Sequence, residues 1–462
     1  MTNAGSNFSR RAFLSMVAVG LAWPQKPSDD RSPLGMIVRS NRPEDLEMPL
    51  DGFVDFITPV ERFFVRTHVA VPKVDLATWN LRVDGHVSSP VVLSMNDIRR
   101  MPSAELVGVL ECAGNGRGFY DPPVAGLQWG DGAVGNGRWR GVRLVDLLER
   151  AGVKPGAVEV LFDGADVPIG EMADFQRSIP IRKALHPGTI LAYEMNGAAL
   201  TAKHGFPLRA VVPGWAGDSW VKWITGVTVT DQESKGFWMK NAYLHPGKPV
   251  APGSVVAADA MSPVTSLRVK SVIAYPSNGT TVETGKPISI RGAAWTGDAG
   301  RIVGVEVSVD QGRTWKSAQL TGQSTNFGWR LWNFPWTPSG ERHLTVLARA
   351  RDSSGDIQPA VQEWNPSGYL WNAVARVDVD SVRTPSLPAP AASGSGVAPA
   401  PPQAFRETCL TCHDDDVIRQ QRLTRAQWDR ELNKMMNWGA RVQPENRETL
   451  LDYLVNAAGP RR

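Results

Sequence analysis

Residues 384–402 are dominated by Pro, Ala, Ser and Gly. Such a run has almost no apolar surface to bury, and its prolines keep it semi-extended. It reads as a linker, so whatever precedes it and whatever follows it must each find a core elsewhere. The chain has 462 residues, a length that suggests about three domains. The stretch 403–462 is too short to complete a stable core by itself. It needs a further apolar body to fold around.

The tail contains Cys409-Leu410-Thr411-Cys412-His413, the C-x-x-C-H pattern of c-type haem attachment. Two thiols at this spacing add across the haem vinyl groups, and the following histidine ligates the iron. A zinc site would need further ligands nearby, and a redox C-x-x-C pair usually opens a helix in a thioredoxin-like unit that this tail lacks. Thr424 and Gln427 form a capping-box pattern, and the helix they start carries Trp428, Leu432 and Met435 on one face, with Gly439 closing it. A second helix is expected over Glu445 to Ala457. His413 is the sole histidine of the tail, so a methionine is expected as the second iron ligand. Met435 is preferred to Met436 because it shares the apolar face. Residues 403–462 are thus predicted to be a small all-α cytochrome c domain carrying haem c.

Of the three cysteines in the chain, one remains. Cys112 follows an apolar run, Leu106 to Leu110, that reads as a strand, and it opens a Gly-rich turn containing Arg117. A lone cysteine is often a buried small hydrophobe, yet a thiol at a strand edge beside a cation is also suited to be a metal ligand or nucleophile. The residues alone leave both readings open.

Residues 35–240 mix strands and helices. Leu81-Arg82-Val83-Asp84-Gly85 reads as a strand and turn, Leu144 to Ala151 as an amphipathic helix closed by Gly152, Leu208 to Val212 as a strand before Pro213-Gly214, and Trp220 to Val229 as a further strand. This predicts an α+β domain. Residues 260–380 change to period-two runs, such as Val303 to Val309 and Leu344 to Ala350, separated by turns at Ser277-Asn278-Gly279, Asp310-Gln311-Gly312 and Ser353-Ser354-Gly355. That pattern predicts an antiparallel, immunoglobulin-like all-β sandwich. Its tryptophans, Trp295, Trp315, Trp329, Trp332, Trp336, Trp364 and Trp371, are expected in its core or at a subunit interface.

Ser9-Arg10-Arg11-Ala12-Phe13-Leu14 precedes an apolar run to Trp23 that is too short to span a bilayer. It resembles a twin-arginine export signal over residues 1–30, which predicts a periplasmic mature protein with no membrane span. The formal charge is +4, without a Lys/Arg block of the kind that tracks nucleic acid.

The order of motifs Phe63-Phe64-Val65-Arg66-Thr67-His68, Glu111-Cys112-Ala113-Gly114-Asn115, His204-Gly205-Phe206-Pro207-Leu208-Arg209 and Val221-Lys222-Trp223 resembles the sulfite oxidase family of molybdopterin enzymes over nearly all of residues 35–380. The 35–240 region resembles the family's molybdopterin-binding domain. The 260–380 region resembles its dimerisation domain, through Val305-Glu306-Val307-Ser308, Trp364-Asn365 and Gly368-Tyr369, and so implies a homodimer. The resemblance implies that Cys112 is the thiolate bonded to molybdenum, that Arg66 and Arg117 line an anion pocket, and that Tyr243 stands beside the metal's equatorial oxygen. It implies that His68, His204, Arg209 and Lys222 bind the pterin or its phosphate. These residue types suit those tasks: guanidinium groups present paired planar donors to an oxyanion, and a thiolate suits a high-valent metal. Thr67, Gly116 and Ala125 depart from residues common in the family, an asparagine, an arginine and a lysine respectively. Pocket charge is correspondingly lower.

The expected activity is that of a periplasmic sulfite dehydrogenase. It would oxidise sulfite to sulfate at molybdenum and pass electrons through haem c, held by Cys409 and Cys412, to an external cytochrome c. Gly116 also resembles the sulfane dehydrogenase relatives, which act on carrier-bound sulfur. An electron-transfer or docking subunit with a vestigial molybdenum centre is a third reading.

Overall fold

The computed structural model describes residues 35–298, 300–383 and 401–460. The twin-arginine segment lies outside the described residues, as does the linker as far as residue 400.

Two five-stranded sheets build the region up to residue 230. In one, Val91–Leu93, Leu81–Gly85, Ile224–Thr230, Glu159–Gly164 and Gln176–Pro180 lie in that order. In the other, Ser103–Glu111 pairs with Val134–Arg143, which pairs with Ile190–Met195. The helix Leu144–Ala151 buries Leu144, Leu147, Leu148 and Ala151, the stripe expected of 3.6 residues per turn. It stops at Gly152, whose φ of 68° suits a residue without Cβ. These side chains share a core with Leu81, Val83, Val160, Ile190 and Val227.

The expected strand from Trp220 begins only at Ile224. Trp223 has a φ of 56°, a left-handed conformation that breaks the extended run. Lys222 therefore leaves the sheet rather than alternating within it.

Residues 270–382 form two packed sheets, one of four strands and one of five. Between them lie Ile273, Ile290, Val305, Val346 and Val379. The pairing is not wholly antiparallel as expected: Thr281–Glu283 runs parallel to Ala375–Val382, because a crossover, not a hairpin, joins them. Trp295, Trp329, Trp332 and Trp364 are buried, whereas Trp315, Trp336 and Trp371 are only half-buried. The sandwich reaches the first region through Val109, whose N–H donates to Phe327 O at 2.8 Å.

Beyond the linker, the helices Gln403–Thr408, Asp416–Arg419, Arg425–Asn437 and Arg447–Ala458 surround Phe405, Leu423, Trp428, Leu432, Leu450 and Leu454. The Thr424/Gln427 capping box is formed. The last helix starts at Arg447, later than expected, because Pro444–Asn446 takes a tighter 3-10 turn first. The helical tail is docked on the first region. Arg42 donates to Asp414 Oδ1 at 3.1 Å and to Leu410 O at 2.6 Å. Asn41 donates to Asp416 at 2.8 Å, and Trp438 packs against Trp238 with ring centroids 5.5 Å apart. Among the described residues no helix is long and apolar enough to cross a membrane.

Candidate active site

The strand Ser103–Glu111 delivers Cys112 to the interior, and its pairing continues one step further as Cys112 N–H donates to Ala133 O at 2.9 Å. The turn that follows is fixed by two polar side chains of the Glu-Cys-Ala-Gly-Asn motif. Asn115 donates to Glu111 Oε1 at 2.8 Å and accepts from Ala133 N–H at 2.9 Å. Glu111 also accepts from Lys270 Nζ at 3.2 Å and Trp295 Nε1 at 2.7 Å. Both donors come from the sandwich, so the second domain clamps the residue before the thiol. Burial pushes the Cys112 thiol up, against the pull of Arg66. A bound cation is what would favour its thiolate.

Arg66 lies across this cavity with Asp45 behind it, Nη1 to Oδ1 at 3.4 Å, and it donates to Thr67 O. Burial works against its charge, but the Asp45 carboxylate holds its pKa up. Asp45 is itself pushed up to about 6 by burial, with Arg66 opposing. Tyr243, at a φ of 54°, hydrogen bonds through its hydroxyl to His68 Nε2 at 2.7 Å. Burial holds His68 well below the usual histidine range and Tyr243 well above the usual phenol range. The pair is therefore neutral, with the phenol keeping its proton. Arg117 Nη1 donates to Leu127 O and Nε to Ser367 O, each at 3.2 Å, and its guanidinium lies 5.0 Å from the Tyr369 ring centre.

A cleft leads from Cys112, Arg66, His68 and Tyr243 to Lys203, His204, Arg209 and Lys222. Lys222 Nζ donates to Arg66 O at 3.0 Å and Lys203 O at 3.1 Å. Arg209 is held by His204 O and Trp220 O, both at 3.0 Å, and burial pulls it down to about 9. His204 is pulled down to about 3 by burial and the two cations. His204 Nε2, Arg209 Nε and Asp218 Oδ1 are buried without a hydrogen-bond partner. Such unsatisfied groups are costly unless a ligand meets them. His204 Nε2 and Arg209 Nε suit a pterin phosphate, which accepts hydrogen bonds, and Asp218 Oδ1 suits an N–H of the pterin ring. Asp166 and Asp218, which sequence reasoning missed, also line the cleft. Each is pushed up to about 6 by burial. Asp166 is a single acidic residue in a loop and Asp218 one in the 3-10 turn Gly217–Ser219, and neither carries a signal of its own in the sequence.

A larger cavity of about 770 Å³ opens from the same Cys112, Arg66, His68, Arg117 and Tyr243. Its opposite wall is the tail: Cys409, Cys412, His413 and Met435. Burial pushes the Cys409 thiol up to about 12. His413 Nδ1 is engaged with Asp414 O at 2.9 Å, which leaves Nε2 for a ligand. Met436, by contrast, is exposed, with Sδ 3.4 Å from Arg447 Nη1.

The structure accounts for two departures noted above. Gly116 has a φ of 86°, and a Cβ there would stand 2.6 Å from the Trp371 ring, so no side chain fits. Ala125 is half-buried and packs against the apolar core of the tail, where its methyl group suits the contact better than a charged chain.

Residues 68–238 match the oxidoreductase molybdopterin binding domain, and residues 261–382 match the Mo-co oxidoreductase dimerisation domain. With the site around Cys112, these define a molybdenum–molybdopterin oxidoreductase with a mixed α/β cofactor domain and a β-rich dimerisation domain. Mitochondrial sulfite oxidase of Rattus norvegicus is 37% identical over 361 residues, 75% of this chain and 65% of that protein. Sulfite oxidase of Gallus gallus is 37% identical over 354 residues, 73% of this chain and 76% of that protein. A chain of the sulfane dehydrogenase SoxCD from Paracoccus pantotrophus superposes with a TM-score of 0.63 at 27% identity, over 81% of this chain and 92% of that one. The chain belongs to the sulfite oxidase family. It spans 65% of the length of the rat relative.

Proposed function

We propose that this chain is a sulfite dehydrogenase of the periplasm, exported by the twin-arginine route and dimeric through its sandwich. It converts sulfite and water to sulfate, two protons and two electrons. The electrons leave through haem c, attached at Cys409 and Cys412 and ligated by His413 and Met435, to an external cytochrome c. The observation that carries this reading is the single cavity lined on one side by Cys112, Arg66, Arg117 and Tyr243 and on the other by Cys409, Cys412, His413 and Met435.

Molybdenum–molybdopterin, when bound, supplies two-electron oxidation with oxygen transfer to sulfur. The protein's own groups do the rest. Cys112 would hold the metal. Lys222, His204 and Arg209 would bind the pterin and its phosphate. Arg66 and Arg117 neutralise and orient the oxyanion through charge-assisted hydrogen bonds. Tyr243 keeps its proton and donates it in a hydrogen bond to a sulfur-bound oxygen, with neutral His68 fixing the hydroxyl's direction. The docked tail narrows the approach to Cys112, which favours a small free anion. Gly116 supports the sulfane dehydrogenase reading, but sulfur tethered to a carrier protein would have to pass the tail.

The decisive test is anaerobic addition of sulfite while the haem absorption is recorded. Rapid haem reduction is expected in the wild type and none in Cys112→Ser. Haem reduction that persists in Cys112→Ser would refute the proposal, and turnover of carrier-bound sulfane in preference to sulfite would redirect it.

A further inference from the structure

We infer that Gln421 of the helical tail is a positioning residue for the anion pocket, so that docking of the tail sets the geometry of Arg117. The inference rests on the reading of Arg117 as an anion-binding group. Three observations join the two residues. First, Gln421 is 3% exposed, and its Nε2 donates to Gly126 O at 2.8 Å and to Val417 O at 2.6 Å. Its Oε1 accepts from Gln128 Nε2 at 3.3 Å. A buried amide with both ends engaged fixes whatever it holds, because releasing it would strand polar groups away from water.

Second, what it holds is a tight turn with two hydrogen bonds of its own and a further one to the neighbouring tail residue, Gln420. Gln128 Nε2 donates to Val124 O at 2.9 Å and Gly126 O at 2.7 Å, and Gln128 N–H donates to Gln420 Oε1 at 3.2 Å. Third, the other side of that turn is the seat of Arg117. Its Nη1 donates to Leu127 O at 3.2 Å, and a Cβ added to Gly126, at a φ of 120°, would meet Nη1 at 2.8 Å. The guanidinium thus lies flat against Gly126–Leu127 while Gln421 grips the far side of the same turn. Displacement of the tail removes that grip and frees the turn to shift. The direction of the Arg117 fork at the anion shifts with it, and a bidentate contact tolerates little misalignment.

The test uses the full-length, cofactor-loaded protein with inorganic sulfate as the anion. Gln421→Met keeps the volume and removes the amide; Gln421→Asn keeps the amide but withdraws it, and carries the test if the first variant does not fold. Asn41→Ala loosens docking at Asp416 without touching the turn. Sulfate affinity is measured by calorimetry, amide hydrogen exchange is read over residues 125–129, and the haem spectrum serves as a check on the tail. In Gln421→Met, sulfate affinity is expected to fall about tenfold, the size of one weakened charge-assisted hydrogen bond from a misaligned Arg117. Exchange over the turn should rise, and the haem spectrum should stay unchanged. Asn41→Ala should stay within about twofold of wild type, as surface changes usually do. Wild-type sulfate affinity in Gln421→Met, or an equal loss in Asn41→Ala, overturns this inference alone. Absence of sulfate binding in the wild type overturns the anion pocket and this inference together. Absence of sulfite turnover with sulfate binding intact sinks only the assigned substrate.

Discussion

The pocket's charge balance turns on Asp45. Its carboxyl stands behind Arg66 and is pushed up to about 6 by burial. Between the ordinary carboxylate value and that point, the folded chain holds the proton more tightly than the unfolded chain. Asp45 therefore contributes stability that fades as pH rises through this window. The same proton governs Arg66. Above about pH 6 the carboxylate competes with a bound anion for the guanidinium, and below it the competition ends. Sulfate, a dianion throughout, is expected to inhibit more strongly as pH falls through about 6, and Asp45→Asn should remove that pH dependence; inhibition constants measured on both proteins decide it. Asp45 could not be singled out from the sequence, because nothing in Glu44-Asp45-Leu46 marks it as the partner of a residue 21 positions further on. Arg66, by contrast, was legible from its motif.

At the level of elements, the edge of one strand carries the site, and the sandwich steadies it. Glu111 ends Ser103–Glu111, and Lys270 and Trp295 reach it from two neighbouring strands of the other domain. Lys270 and Glu111 side chains are 2% and 8% exposed. Removing one partner of so buried a pair costs about 3–5 kcal/mol. Lys270→Met is expected to lower the unfolding free energy by that amount, read from denaturant titration, and to reduce molybdenum content, measured by metal analysis; unchanged stability would show the pair to be solvated. Helix phase separates the two candidate methionines in the same way. On Arg425–Asn437, Met435 turns into the cavity and the next residue turns out. Met435→Ala should abolish the thioether–iron absorption band and lower the haem potential, whereas Met436→Ala should leave both unchanged. The 3.6-residue period made the Met435 face readable. The clamp on Glu111 was not readable, since 159 positions separate it from Lys270.

For the whole molecule, the notable feature is how the tail meets the cofactor domain. Its contacts are largely polar and include Arg42, Asn41 and the Pro123–Gln128 turn, with apolar contacts at Ala125, at Val417 and at Trp438, whose ring meets Phe237 and Trp238. Interfaces of this polar kind open more readily than apolar ones. Raised ionic strength should weaken the exposed Arg42–Asp414 pair, screened within about a Debye length. Arg42→Ala is expected to slow haem reduction by sulfite and to make the remaining rate more sensitive to salt, with stopped-flow absorption as the readout. An unaltered rate would mean that the tail is held elsewhere. The half-buried Trp371, which occupies the space beside Gly116, also shows the sandwich shaping the pocket from outside the cofactor domain.

The sequence by itself determined most element types, the family to which the cofactor region belongs and the C-x-x-C-H spacing of the tail. Capping residues, hydrophobic period and cysteine spacing act within a few positions of one another, so they are written locally. Only the tertiary structure decided which distant side chains meet: Glu111 with Lys270, Arg66 with Asp45, the turn under Arg117 with Gln421, and both sets of cysteines around one cavity. Those pairings depend on how sheets and helices pack. Packing follows from the sum of many weak, non-directional contacts that no short stretch of sequence records.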